Sequence, residues 1–135
     1  MTFHSLWIAK PPLDFPGIEI SEFLDRLKLS FAFHHFDAEG ARADALKRLE
    51  LLASLNPPEE IVASYRDTKP VRIKLADEEG APFMLDFTVW PDPSGILNRI
   101  DVCFATAEQE DACYPMLTRI ADFLGWELEE DTEAS

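Results

Sequence analysis

The stretch VRIKLADEEGAPFMLDFTVWPDPSGILNRIDVCF, residues 71–104, decides the fold. Val71, Ile73 and Leu75 alternate with Arg72 and Lys74. Phe83, Leu85, Phe87 and Val89 alternate with Met84, Asp86, Thr88 and Trp90, and Ile100, Val102 and Phe104 alternate with Arg99, Asp101 and Cys103. A period of two puts each apolar set on one face of a strand. Asp77 to Gly80 and the PDPSG run at 91–95 supply turn residues between them. Connections this short join antiparallel strands, because a parallel crossover needs a dozen residues or more. The reading is an antiparallel sheet meander packed by helices, in a single α+β domain.

Working outward, FHSLWIA at 3–9 is apolar enough for a strand and is stopped by Pro11 and Pro12. Ile20, Phe23, Leu24, Leu27 and Phe31 recur at helical spacing, with Ser21 as N-cap, and predict a helix through about Leu29. The next run, LSFAFHHF at 29–36, fits a strand or a continuation of the helix equally well. Asp37 is placed to cap a helix through ALKRLELLASL whose stripe is Ala45, Leu46, Leu49, Leu52 and Ala53. Asn56, Pro57 and Pro58 end it, and Glu59 and Glu60 suit the positive end of a short third helix with Ile61, Val62 and Tyr65 on its apolar side.

Downstream, a helix is expected from Tyr114 to Leu124 with Pro115 in its first turn, where a missing N–H costs nothing. Gly125 is suited to a left-handed stop that folds Trp126 back on Ile120 or Ala121. Trp126 and Leu128 then predict an edge strand. The domain is expected to span residues 1–128, followed by a flexible acidic tail, EEDTEAS, at 129–135.

Charge is divided unevenly along the 135 residues. Residues 1–75 hold 11 Asp or Glu and 10 Lys or Arg, and residues 76–135 hold 15 and 2, so 13 of the 14 net negative charges lie in the second part. A net charge of −14 opposes phosphate backbones and anionic lipid alike, which argues against direct nucleic-acid or membrane binding and points to a basic protein partner. The plain alternative is that the acids keep a Phe-rich domain in solution. The start of the chain lacks a basic, then apolar, leader pattern and no segment is long enough to span a bilayer, so a cytoplasmic location is expected. Cys103 and Cys113 lack C-x-x-C spacing and read as free thiols.

Three constellations are candidates for function. On the solvent face of the meander, a first hairpin turning about Glu79 sets Arg72 opposite Asp86, and a second turn sets Asp86 opposite Asp101, with Arg99 nearby. Met84 and Trp90 point the same way, and an aromatic among charges is a frequent interface anchor. His34, His35 and Asp37, with Glu39, have metal-ligand residue types, and on a helix His34 and Asp37 or His35 and Glu39 share a face. Partly buried aromatic histidines are the plain alternative. The acidic end, including Glu127, Glu129, Glu130 and Asp131, mimics a run of phosphates or is simply solvated.

No G-x-S-x-G is present and the five glycines are scattered, so neither a nucleophile elbow nor a phosphate-cradling loop can be built, and no cofactor is implied. The leading expectation is a non-enzymatic, inhibitor-like binding domain that uses Met84, Asp86, Trp90, Asp101, Glu127, Glu129, Glu130 and Asp131 against a basic protein. The rivals are a small ligand- or metal-binding domain or enzyme using His34, His35 and Asp37 or Asp86 and Asp101, and a homodimer formed through an apolar sheet face or edge strand.

Overall fold

The alternating pattern becomes a hairpin in which β4 (Val71–Ala76) and β5 (Leu85–Val89) pair antiparallel, Val71 opposite Val89 and Leu75 opposite Leu85. The computed structural model describes residues 4–130, the side chain of residue 64 excepted. β3 (Phe33–Asp37) adds to the other edge of β4 and divides the ambiguous run 29–36: Leu29 and Ser30 end a helix, and residues 33–36 are strand. The register is symmetrical about Gly80, whose φ of 81° needs a residue without Cβ, rather than about Glu79. Lys74, not Arg72, therefore stands opposite Asp86. A shift of two leaves every side chain on its expected face.

The third strand of the run departs from the simple meander. β7 (Ile100–Phe104) pairs with β1 (Ser5–Lys10), and β8 (Glu127–Glu130) takes the other edge of β1, giving the order β7-β1-β8. β5 and β7 touch, but no ladder joins them among the described residues. The connection explains this. Pro91 and Pro93 have no N–H to offer a ladder, and the Asp92 carboxylate accepts the backbone N–H groups of Ser94 and Ile96 at 2.9 and 3.0 Å. The segment is thus a fixed knuckle, and β6 (Ile96–Leu97) behind it pairs with β2 (Ile18–Glu19). Glu129 and Glu130 belong to β8, so two residues of the expected tail are strand, and residues 131–135 lie outside the described residues.

Among the described residues four helices cover the sheets. α1 (Ile20–Ser30) buries Phe23 and Leu27 and begins without a side-chain cap; Ser21 lies inside it, because the chain enters from β2 with the Ile20 N–H bonded to the Gly95 carbonyl at 2.9 Å. α2 (Ala38–Ala53) is capped by Asp37, whose carboxylate accepts the Gly40 N–H at 2.8 Å, as its position predicts. Its buried face is Ala41 and Ala45; of the expected stripe Ala45 is buried, Leu49 and Leu52 are half-buried, and Leu46, at 42%, and Ala53 are exposed. α2 packs on β4 and on α3 (Glu59–Asp67).

α4 (Ala107–Leu124) starts seven residues before the expected Tyr114, capped by Thr106. The Thr106 hydroxyl accepts the Gln109 N–H at 3.1 Å and the Gln109 amide oxygen accepts the Ala105 N–H at 2.8 Å, a capping-box arrangement written in the sequence as T-A-E-Q. Pro115 is consequently inside the helix. It lies on the exposed face with Asp111, whose carbonyl it leaves free for water. Gly125 stops the helix at φ 70°, and the Trp126 N–H returns to the Ala121 carbonyl at 2.9 Å. One core results, with Phe23, Leu27, Ile73, Leu85, Phe104, Leu117 and Ile120 fully buried, each contributing about 1.5–3 kcal/mol. Among the described residues no helix is long and apolar enough to cross a membrane.

Arg42 locks α2 to the end of α3. Its guanidinium donates to the carbonyl oxygens of Tyr65 (3.1 Å), Thr68 (2.6 Å) and Arg66 (2.5 Å), carbonyls that a helix end leaves without partners. Arg42→Ala is expected to lower unfolding stability by about 2 kcal/mol in urea titrations, and Arg42→Lys to recover less than half, because an ammonium cannot span three carbonyls in one plane.

Candidate functional site

Three concavities of the surface meet at Trp90 to Pro93. A cavity of about 630 Å³ lies on one side, walled by Ile61 and Tyr65 of α3, Trp90, Pro91 and Pro93, with Arg48 of α2 at its margin. A second of about 410 Å³ runs between β5 and β7, and a third of about 450 Å³ lies behind the knuckle against α1. The segment is fixed from several directions: the Gly95 N–H bonds to the Asp92 carbonyl at 2.8 Å and the Thr68 hydroxyl donates to the Pro91 carbonyl at 3.2 Å. Trp90, 39% exposed, meets Tyr65 edge-on with ring centroids 5.8 Å apart, and the Arg48 guanidinium carbon lies 5.9 Å from the Trp90 centroid.

The groove between β5 and β7 holds Asp86, Trp90 and Asp101 together with Arg99 and Cys103. Asp86 and Asp101 are not cross-strand partners, since β5 and β7 share no ladder, and each carboxylate is held by an arginine instead. Arg72 grips Asp86 with two bonds of 3.1 and 2.8 Å, and Arg99 Nε donates to Asp101 at 2.7 Å. The arrangement is a mosaic of opposite charges. Desolvation in the groove, and secondarily the Asp101 carboxylate, push the Cys103 thiol above its ordinary value, which makes it a poor nucleophile at neutral pH.

The remaining expected residues are distributed as follows. Met84 precedes β5 and does not line the groove. Glu127 and Glu129 reach the same sheet face as Asp101, because Asp101 and Glu129 both stand opposite Ile8, but Lys10 Nζ neutralises Glu129 at 2.8 Å. Glu130 projects to the opposite face. Asp131 lies outside the described residues.

His34, His35 and Asp37 do not form a metal site. They occupy β3, so His34 and His35 point to opposite faces and the helical spacing does not apply. His34 stacks on Phe36 with centroids 5.6 Å apart, and Asp37 is spent as the cap of α2. Among the described residues, no group of three or more His, Cys, Asp or Glu side chains is placed to hold a metal ion.

Sequence reasoning overlooked Glu110, one turn into α4. Its carboxylate accepts the Ser5 hydroxyl at 2.5 Å and the Trp7 indole N–H at 2.7 Å, and His4 Nε2 lies 3.3 Å from its second oxygen. The imidazole touches the carboxylate and not the serine, so the trio ties β1 to α4 and is no catalytic relay. These bonds, the Ser5 hydroxyl foremost, hold the Glu110 carboxyl below its usual range. No protein family, curated protein or solved structure matches the chain.

A depressed carboxyl pKa contributes stability that is present above the unfolded value, near pH 4.3, and lost as pH falls through the folded value. Urea midpoints measured from pH 7 to pH 3 should therefore show Glu110→Gln about 2 kcal/mol less stable at neutral pH, with the gap closing on acidification. A gap independent of pH would show that the carboxylate form is not what the three donors hold.

Proposed function

We propose that the chain is a protein-binding, inhibitor-like domain that receives a basic partner on the side formed by α4 and the β4–β5 turn. The sheet face is less suited to this role than its sequence suggests. Asp86, Asp101 and Glu129 are paired with Arg72, Arg99 and Lys10, and Asp77 with Arg119. Glu78, Glu79, Glu108, Asp111 and Asp122, in contrast, have no ion-pair partner among the described residues.

The observation that carries the reading is a recess of about 250 Å³ between the turn and α4. Pro82, Phe83, Ala112 and Met116 give it apolar walls, and Glu78 stands at its rim. Glu108 lies one helical turn before Ala112 on the same face of α4. Lysine and arginine combine an apolar stem with a charged head, so such a side chain satisfies both parts of the recess. The carboxylates of Glu78 and Glu108 steer a basic surface inward.

The test is binding of an oligoarginine peptide by calorimetry across a salt series, followed by affinity capture at low salt to identify the natural partner. Affinity is expected to fall about tenfold or more between about 0.05 and 0.5 M salt, as screening shortens the reach of exposed charge from about 14 Å to about 4 Å. Glu78→Gln and Glu108→Gln should weaken it further, and Asp86→Asn and Asp101→Asn should not. Affinity that ignores salt, or that falls only with the sheet-face variants, would refute the assignment.

A further inference from the structure

The cavity of about 630 Å³ beside Trp90 has a different chemistry from the acidic recess. Its volume is that of a small-molecule site, and its walls are flat and apolar: the Tyr65 and Trp90 rings set edge to face, with Ile61, Pro91 and Pro93 beside them. Two of the polar side chains that border it are committed elsewhere. The Thr68 hydroxyl donates to the Pro91 carbonyl, and the Asp92 carboxylate accepts the N–H groups of Ser94 and Ile96. Arg48 is the cation of the lining. It enters no ion pair among the described residues, and its guanidinium lies against the Trp90 ring.

A guanidinium near an aromatic face keeps its in-plane N–H donors available, and these match the two oxygens of a carboxylate or the oxygens of a sulfonate. An apolar slot bounded by aromatic rings, with one uncommitted fork of donors at its mouth, selects a flat apolar body that carries one negative group. The walls are also pre-formed: two prolines, the Asp92 bonds and the Thr68 bond fix the knuckle before any ligand arrives, so little ordering opposes binding.

We propose that this cavity is a binding site for a small aromatic anion, its rings against Tyr65 and Trp90 and its carboxylate or sulfonate on Arg48. The site is independent of the basic-partner surface: the two share no lining residue, and either assignment stands without the other.

The probe is 8-anilinonaphthalene-1-sulfonate, with N-phenyl-1-naphthylamine, which has the same rings and no sulfonate, as its neutral counterpart. Both are titrated into the full chain by fluorescence at neutral pH and about 0.15 M salt, where the protein's overall negative charge is screened beyond about 8 Å. Saturable one-to-one binding of both is expected. Arg48→Gln should weaken the sulfonate about tenfold and leave the neutral dye within about twofold, the ratio expected for loss of one charge-assisted contact. Ala63→Trp, which fills the cavity from α3, should abolish both, with circular dichroism reporting an unchanged fold. Equal loss of both dyes in Arg48→Gln, unchanged sulfonate affinity in that variant, or full binding of both by a folded Ala63→Trp protein would each overturn the proposal. The first would give Arg48 a packing role only, the second would separate it from the anion, and the third would put the dyes on the exposed leucines of α2. Arg48 is on the surface, so its variant keeps the test decisive if the cavity-filling one fails to fold.

Discussion

β1 is the constraint on which the rest of the molecule depends. It is a central strand, with β7 on one edge and β8 on the other, so both rows of its backbone N–H and C=O groups are spent in ladders. Taking β7 for itself, it leaves β5 with one ladder partner, β4, among the described residues. β5 and β7 meet without a ladder, and the knuckle that connects them stands where two cavities share Trp90. The concavities of the surface thus follow from a choice of strand partner made at the other end of the chain.

Two charged side chains hold this arrangement in a way the surface ion pairs cannot. The pairs of Arg26 with Glu22, Arg66 with Glu59 and Lys10 with Glu129 join groups that are about half exposed, and pairs of that kind contribute at most about 1 kcal/mol. Arg42 instead serves three carbonyls at one helix end, and Glu110 gathers donors from three residues at the start of β1. In both, one charge satisfies several polar groups that would otherwise lose water without replacement, and that loss is the larger cost. Arg42 closes α3 onto α2 and so sets the wall that carries Ile61 and Tyr65, and Glu110 anchors the strand that diverts β7.

What was legible in the sequence is what a few neighbouring residues determine. The alternation at 71–75 and 85–89 fixes which side chains face the core; Asp37 announces a helix start and Gly125 a helix end. The start of α4 is equally local, since Thr106 and Gln109 are three apart, but Pro115 suggests a first turn and is in fact an exposed interior residue. The partner of β7 was not legible, because the run 100–104 offers the same alternation to β5 and to β1 and only the fixed knuckle and a strand about ninety residues upstream decide between them. Arg42, Arg48 and Glu110 look like ordinary polar helix residues. Their roles depend on carbonyls, a tryptophan ring and a strand that the sequence does not place near them. His34 and His35 needed only the helix-or-strand decision, which periodicity left open.

The electrostatic asymmetry of the chain is likewise altered by folding. Lys10 and Arg72, from the nearly neutral first part, cross to Glu129 and Asp86, and the two arginines of the second part are used on Asp101 and Asp77. Asp86 on β5, Asp101 on β7 and Glu129 on β8 are therefore balanced, and among the described residues the unpaired surplus lies on the turn at 77–80, on α4 and on Glu127 and Glu130 of β8. α4 tolerates this surplus because Glu108 and Glu110 sit at the positive end of its dipole. The same pairing leaves Arg48 uncommitted beside an apolar wall. Linear charge counting merges these surfaces into one acidic half, whereas the distances separate them: a largely paired sheet face, an acidic helix with an apolar recess at its side, and a guanidinium that enters no ion pair among the described residues, near a tryptophan ring. Each of the three faces a different chemistry, and the strand order set by β1 is what keeps them apart.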